Sequence, residues 1–255
     1  TSYADNVLGM VFDSPLSNKV FKNNMTGSIE LTGDKSIGMY ATGTGSYIAL
    51  NEGAILLGNS INQNNPNIGM YTDKLSITLR NNGKISVGKN AIGMFLSGGS
   101  TGSTVNYGGT LNLTATSTTD YGIGAMVQNN STFNLTSTGK VKIGGVNNIG
   151  FYVESGGTLQ VSGGTVENTK EGIFAYLQDG KLDFKAGTVP NINFLNVFVS
   201  GSKGSIQNAT AVTVGTKGLQ ANSGAKITNT STGTIKGTVD EAKALVGTGI
   251  NTKID

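Results

Sequence analysis

Apolar and polar residues alternate along this chain in short bursts. Leu75, Ile77 and Leu79 are followed by Asn82-Gly83 and then by Ile85 and Val87. The figure returns as Phe133 and Leu135, Gly139, then Val141 and Ile143, and again as Leu159 and Val161, Gly164, then Val166. Period-two alternation of this kind predicts pairs of short strands with one apolar face and one Ser/Thr/Asn/Lys face. Between the pairs stands a recurring phrase: Ile37-Gly38-Met39-Tyr40, Ile68-Gly69-Met70-Tyr71, Ile92-Gly93-Met94-Phe95, Ile123-Gly124-Ala125-Met126 and Ile149-Gly150-Phe151-Tyr152. Self-similarity at a period of roughly 20 to 50 residues means that one structural unit is stacked on itself. With the phrase counted, every unit offers three strands.

The Ile of the phrase serves as a register mark, with matching positions at Leu8, Ile37, Ile68, Ile92, Ile123, Ile149, Ile173, Val197, Leu219 and Val246. Asn82-Gly83 taken alone is a hairpin signal, but the repeat outweighs it. A strand that pairs in parallel with its predecessor needs a return path of about a dozen residues or more, and going once round a triangular coil supplies it. The expected fold is therefore all-β: a right-handed parallel β-helix of about nine to ten coils with three short strands per coil. Apolar residues at helical spacing do not recur; only Asp240 to Val246 has the composition for a helical turn or two.

Six of the eight residues that precede the marks from Ile37 to Leu219 are Asn67, Gly122, Asn148, Gly172, Asn196 and Gly218, which predicts tight corners with positive φ. The column Gly38, Gly69, Gly93, Gly124 and Gly150 predicts close backbone approach, where a Cβ would crowd the bend. Asn168, Asn191, Asn208 and Asn229 are candidates for internal amide ladders, unless the register slips there. Neither end carries a recognisable cap, so residues 1-255 are expected to be one β-helix segment excised from a longer solenoid, with open strand edges that favour self-association.

Composition narrows the function classes. Charged residues are 13% of the chain and the net charge is +3, with Arg80 the single arginine. Clustered Lys/Arg for phosphates and arginine forks for bases are missing, which argues against nucleic-acid binding. No run approaches the roughly 20 apolar residues of a membrane span, and Thr1-Ser2-Tyr3-Ala4-Asp5 is not a signal peptide. With no Cys and no His, thiolate chemistry and the usual zinc ligands are absent. The G-G-x-G-x-D calcium repeat does not occur, and Gly122-Ile123-Gly124 does not extend to a dinucleotide fingerprint. No cofactor is expected.

The Ile-Gly-Met-Tyr/Phe phrases, the starts Gly109-Thr110-Leu111, Gly157-Thr158-Leu159, Gly83-Lys84-Ile85, Gly139-Lys140-Val141 and Gly180-Lys181-Leu182, and the Asn/Thr/Gly-rich filler resemble passenger domains of large fusobacterial-type autotransporter adhesins. The resemblance covers roughly residues 8 to 250. It implies a bacterial cell-surface stalk or binding region, outer membrane-anchored or secreted, whose parent is held by an outer-membrane β-barrel. The implied partner is a receptor, protein or glycan, on a host cell or another bacterium. The family offers no common catalytic motif, and the expectation is that the chain is not an enzyme.

Two groups of residues bear on function. Tyr40, Tyr71, Phe95, Met126, Tyr152 and Tyr176 hold one position of successive coils. If Met39, Met70, Met94 and Phe151 face the core, strand alternation turns these residues outward as a ladder able to grip sugar rings or a partner protein. A bend at the Gly would bury the column instead. The binding candidates are therefore Tyr40, Tyr71, Phe95, Tyr152 and Tyr176. Glu171, Asp179 and Asp183, with Lys170, Lys181 and Lys185 around them, form the densest acidic group. They support the alternative of a carbohydrate-active β-helix enzyme, a polysaccharide lyase or hydrolase, since such chemistry needs paired carboxylates or carboxylate-held calcium. Solvated charges on outward strand positions are the plainer account of them.

Overall fold

In the computed structural model the described residues are 5–61, 64–74, 76–97, 104–116, 119–145, 147–187, 190–237, 243–249 and 252–255. They form a parallel β-solenoid of about nine turns, with three sets of strands per coil and no helix among the described residues. The phrase strands, Leu8–Asp13, Ile37–Thr42, Asn67–Thr72, Ala91–Ser97 and their successors, stack into one 11-stranded sheet. The second strands of the coils, such as Ile48–Asn51 and Thr132–Leu135, form a three-stranded and then a seven-stranded sheet. The third strands, such as Lys84–Val87 and Lys140–Ile143, form another seven-stranded sheet. Asn82-Gly83 is thus a corner between two faces, because the strands on either side of it pair with different sheets. Leu75 lies outside the described residues, while Ile77 and Leu79 are buried.

Leu8, Ile37, Ile68, Ile92, Ile123, Ile149 and Ile173 stand in one unbroken register. Beyond Ile173 the expected register is displaced. Val197 lies opposite Ala175, two positions past the mark, and Leu219 lies opposite Val197. Leu219 then faces Leu245, so Val246 is one further step out. The Ile-Gly dipeptide that distinguishes the start of the strand is gone from these coils, and alternation alone is blind to a slip of two. Asp240, Glu241 and Ala242 lie outside the described residues; Leu245–Thr248, at the end of the expected helical turn, is a strand.

The core is a single column of stacked layers. Met39, Met70, Met94, Phe151, Ala175 and Val197 point into it from the phrase sheet, all fully buried. Tyr107, Phe133, Phe151, Phe174 and Phe184 pack ring against ring inside it, with successive centroids 5.0, 5.1, 5.3 and 6.4 Å apart. The Gly column behaves as its position predicts. A Cβ on Gly93 would come within 2.5 Å of the Gly124 carbonyl oxygen and 2.7 Å of the Leu111 side chain.

The corners before the marks are built differently from the expectation. Of the six Asn and Gly positions only Gly218 has positive φ, at 62°. Left-handed backbone falls one residue earlier at Lys35 and Asn90. Asn67, Asn148 and Asn196 act through their side chains: their Oδ1 atoms accept from the backbone N–H of Ser36, of Gly122, and of both Lys217 and Gly218 in neighbouring coils. Asn is used there as a buried hydrogen-bond bridge that satisfies corner amides.

Amide ladders also exist, but mostly elsewhere. Asn208 donates to Asn229 at 2.8 Å. Asn168 is buried, yet donates to the Gly172 and Phe194 carbonyls, and Asn191 is exposed. The longest ladder is Asn23 to Asn51 at 2.8 Å and Asn51 to Asn81 at 2.6 Å, in the second strands of the first three coils.

Candidate functional site

Each phrase strand breaks its own alternation. In Ile37–Thr42 both Gly38 and Met39 are buried, so Ile37 and Tyr40 are left partly exposed on the outer side. The same order holds in Asn67–Thr72 and Ile123–Gln128. The outer face of this sheet therefore carries the aromatic column, flanked by the half-buried marks Ile37, Ile68, Ile123 and Ile173, while Ile92 and Ile149 are buried. The other two sheets present residues such as Thr110, Asn112, Lys140, Lys142, Asn134 and Gln160 outward. One side of the triangular coil thus carries large apolar side chains on its outer as well as its inner face, with polar residues such as Gln128 and Gln178 at the strand ends.

Tyr40, Tyr71 and Phe95 form a continuous outer stack. Their ring centroids are 5.7 and 5.4 Å apart and their planes diverge by 10° and 22°. Tyr152 and Tyr176 stack at 5.5 Å and 5°. The structure thus brings all five predicted residues onto one face, in two runs separated by Met126, with their neighbours Met39, Met70, Met94 and Phe151 inside. Phe198 extends the second run, 6.4 Å from Tyr176. The Val197 mark lies two positions off and puts Ser200, not Phe198, in the aromatic column; the apolar run Val197-Phe198-Val199 is the available signal. Burial pushes the phenols of Tyr71 and Tyr152 above their ordinary pKa. The neighbouring Asp73 and Tyr40 add to the first, and Glu154, Tyr176 and Tyr121 to the second. Both stay neutral hydrogen-bond donors at physiological pH, and Tyr152 donates to Gln178 Oε1 at 3.1 Å.

Where Met126 breaks the ladder, a groove of about 270 Å³ opens on the same face. Ile92, Ile123, Met126, Tyr121 and Tyr152 supply its apolar walls, and Asn64, Asn90 and Glu154 its polar ones. Asn90 is 3% exposed. Its Nδ2 donates to the Ser60 carbonyl at 3.2 Å and to Asp120 Oδ1 at 3.4 Å, which fixes the amide's orientation. Its Oδ1 is buried and accepts nothing from the described residues. Asp120 also pairs with Lys89 at 3.4 Å, so that cation is already engaged.

The acidic residues are dispersed. Glu171 and Asp179 stand at opposite ends of Ile173–Gln178, and at about 3.3 Å per strand residue that separates them by roughly 20 Å or more. Glu171 Oε1 accepts from the Thr216 hydroxyl at 3.1 Å, Asp179 Oδ1 accepts from the Lys203 N–H at 3.0 Å, and Asp183 pairs with Lys185 at 2.9 Å. Among the described residues no three acidic side chains gather where a metal ion could sit.

Residues 15–139 match the family model of the BigA third pectate lyase-like domain, a bacterial surface protein domain. Over that stretch the chain is similar to a passenger-like β-helix. The matched residues include Tyr40, Tyr71, Phe95, Asn90 and Met126 and stop short of Tyr152 and Tyr176. No curated protein and no solved structure matches the chain. No helix of the described residues is long and apolar enough to cross a membrane.

Proposed function

We propose that this chain is a non-enzymatic binding segment of a bacterial surface protein, an adhesin of the autotransporter passenger type, which holds a protein or glycan receptor on a host cell or another bacterium. The outward aromatic ladder carries the reading. A fold needs apolar residues on the inner face of each sheet only, and the outer column of Tyr40, Tyr71, Phe95, Tyr152, Tyr176 and Phe198 leaves large ring edges at the surface along one side of the solenoid. Exposed apolar stripes of this kind mark interaction sites, and aromatics dominate the energetics of such surfaces. The similarity to a surface-protein domain supports the same location for this chain, with the parent held in the outer membrane or secreted.

The pectate lyase-like description of the matched family keeps a carbohydrate-active enzyme as the second reading. The spacing of Glu171 and Asp179 favours binding over cleavage, because acid-base pairs of glycosidases lie about 5 to 10 Å apart. The deciding experiment pairs attachment with turnover. Tyr71→Ser combined with Tyr152→Ser is expected to abolish attachment to a receptor-bearing surface while the chain still folds and melts cooperatively, and the intact chain cleaves nothing in a polysaccharide panel. Turnover that Asp179→Asn eliminates would replace the adhesin reading with the enzyme.

A further inference from the structure

We infer that the groove at Met126 is a binding site for a single non-acidic sugar ring, seated in the break of the aromatic ladder. This inference rests on the reading of the phrase sheet's outer face as a binding surface and names the ligand class of one site on it.

The two faces of the Tyr152 ring are not equivalent. Tyr176 covers one of them at 5.5 Å; on the other side the neighbouring rung is Met126, a flexible thioether where the ladder otherwise has a ring. Met adapts its three torsions to whatever lies against it, so the missing rung can be filled from outside. The groove volume, about 270 Å³, is just below the range of about 300 to 1,000 Å³ that holds drug-sized ligands. It suits one ring and excludes a wrapped chain. Ile92, Ile123 and Tyr121 close the apolar side.

The polar groups select the chemistry of that ring. Asn90 contributes shape rather than an acceptor: its Nδ2 is held by the Ser60 carbonyl and Asp120, and its Oδ1, without a donor among the described residues, is sealed from solvent. Among the described residues no hydrogen bond reaches the Glu154 side chain, which lies on the same wall. Lys89, the nearby cation, is paired with Asp120. The lining therefore offers the Glu154 carboxylate as acceptor and with it a net negative charge, which match ligand hydroxyls or an amide N–H and repel a carboxylate. A ring with an apolar face and a hydroxylated edge fits both halves of the site. A uronate, the ligand that a pectate lyase-like fold would suggest, does not.

The test uses the ε-methyl groups of the six methionines as NMR probes, with Met126 assigned through Met126→Leu. Cellotetraose, chitotetraose and mannotetraose are titrated against tetragalacturonate. At least one neutral tetrasaccharide is expected to shift the Met126 methyl saturably, and tetragalacturonate is expected to leave it in place. Tyr152→Ala and Glu154→Gln should each weaken binding about tenfold, the scale of one lost charged hydrogen bond or ring contact, with cooperative melting retained and a melting point lowered no more than by Tyr71→Ser. Silence toward all neutral sugars, equal or tighter binding of tetragalacturonate, or indifference to both substitutions would each overturn the site. Attachment assays with Tyr71→Ser separate this result from the broader reading. A silent groove with attachment still lost on Tyr71→Ser removes the sugar site alone. A groove that binds sugar while attachment ignores the ladder removes the adhesive face alone.

Discussion

The side-chain amide of Asn81 donates to the phenol oxygen of Tyr107 at 3.0 Å inside the core. This bond ends the Asn23–Asn51–Asn81 ladder and joins it to the internal aromatic stack. The same inward position then runs through Leu135, Val161 and Phe184 before returning to Asn208 and Asn229. One column thus changes from amide to ring to aliphatic and back. Tyr107 makes the first change possible, because it presents a ring to Phe133 and an acceptor to Asn81.

Removing the middle rung should be costly. Asn51→Ala deprives Asn23 Nδ2 of its acceptor and Asn81 Oδ1 of its donor, both buried. The expected loss is about 3 kcal/mol in urea denaturation, since each orphaned buried group costs about 1 to 3 kcal/mol. Asn191→Ala, at an exposed position, should stay within about 0.5 kcal/mol.

Tyr107 also predicts an alkaline limit. Burial raises its phenol far above the ordinary value, and the bond from Asn81 offsets only part of this. In the unfolded chain the phenol ionises near pH 10; in the folded chain it keeps its proton. Its contribution to stability is thus fully present below about pH 10 and declines as pH rises beyond it, by about 1.4 kcal/mol per unit. Tyr107→Phe should lower stability by about 1 kcal/mol at pH 7 and make its decline above pH 10 shallower. An unchanged alkaline slope in denaturation curves would count against this account.

Gly93→Ala should destabilise by about 2 to 3 kcal/mol, because its Cβ would press on the Gly124 carbonyl and Leu111 in a packed core. Thermal melting measures it directly.

The two sides of the phrase sheet should respond differently to truncation. Phe151→Ala empties a fully buried ring site and should cost about 3 to 5 kcal/mol. Tyr71→Ser, on the outer stack, should cost about 2 kcal/mol, the scale of its two aromatic pairs with Tyr40 and Phe95. Denaturant midpoints of the two variants give the comparison.

Much of this architecture was legible in the residues. The Ile-Gly phrase set the coil and its register as far as Ile173, alternation located the strands, and the Gly column announced close backbone contact. The site was legible in membership: Tyr40, Tyr71, Phe95, Tyr152 and Tyr176 were picked out by their shared place in the phrase. Their orientation was open, because a sheet with apolar residues on both faces gives alternation no polar side to point at water.

Local pattern therefore determined what repeats: strand, corner, phrase and the apolar character of one face. Tertiary structure decided what lies above what. Loops of varying length reset the register of each coil, so the pairing of Val197 with Ala175, the ladder from Asn23 to Asn81 and the groove beside Met126 emerge only when neighbouring coils meet. Most hydrogen bonds and ring contacts between coils join positions more than 20 residues apart, about the length of a coil, so local pattern does not contain them.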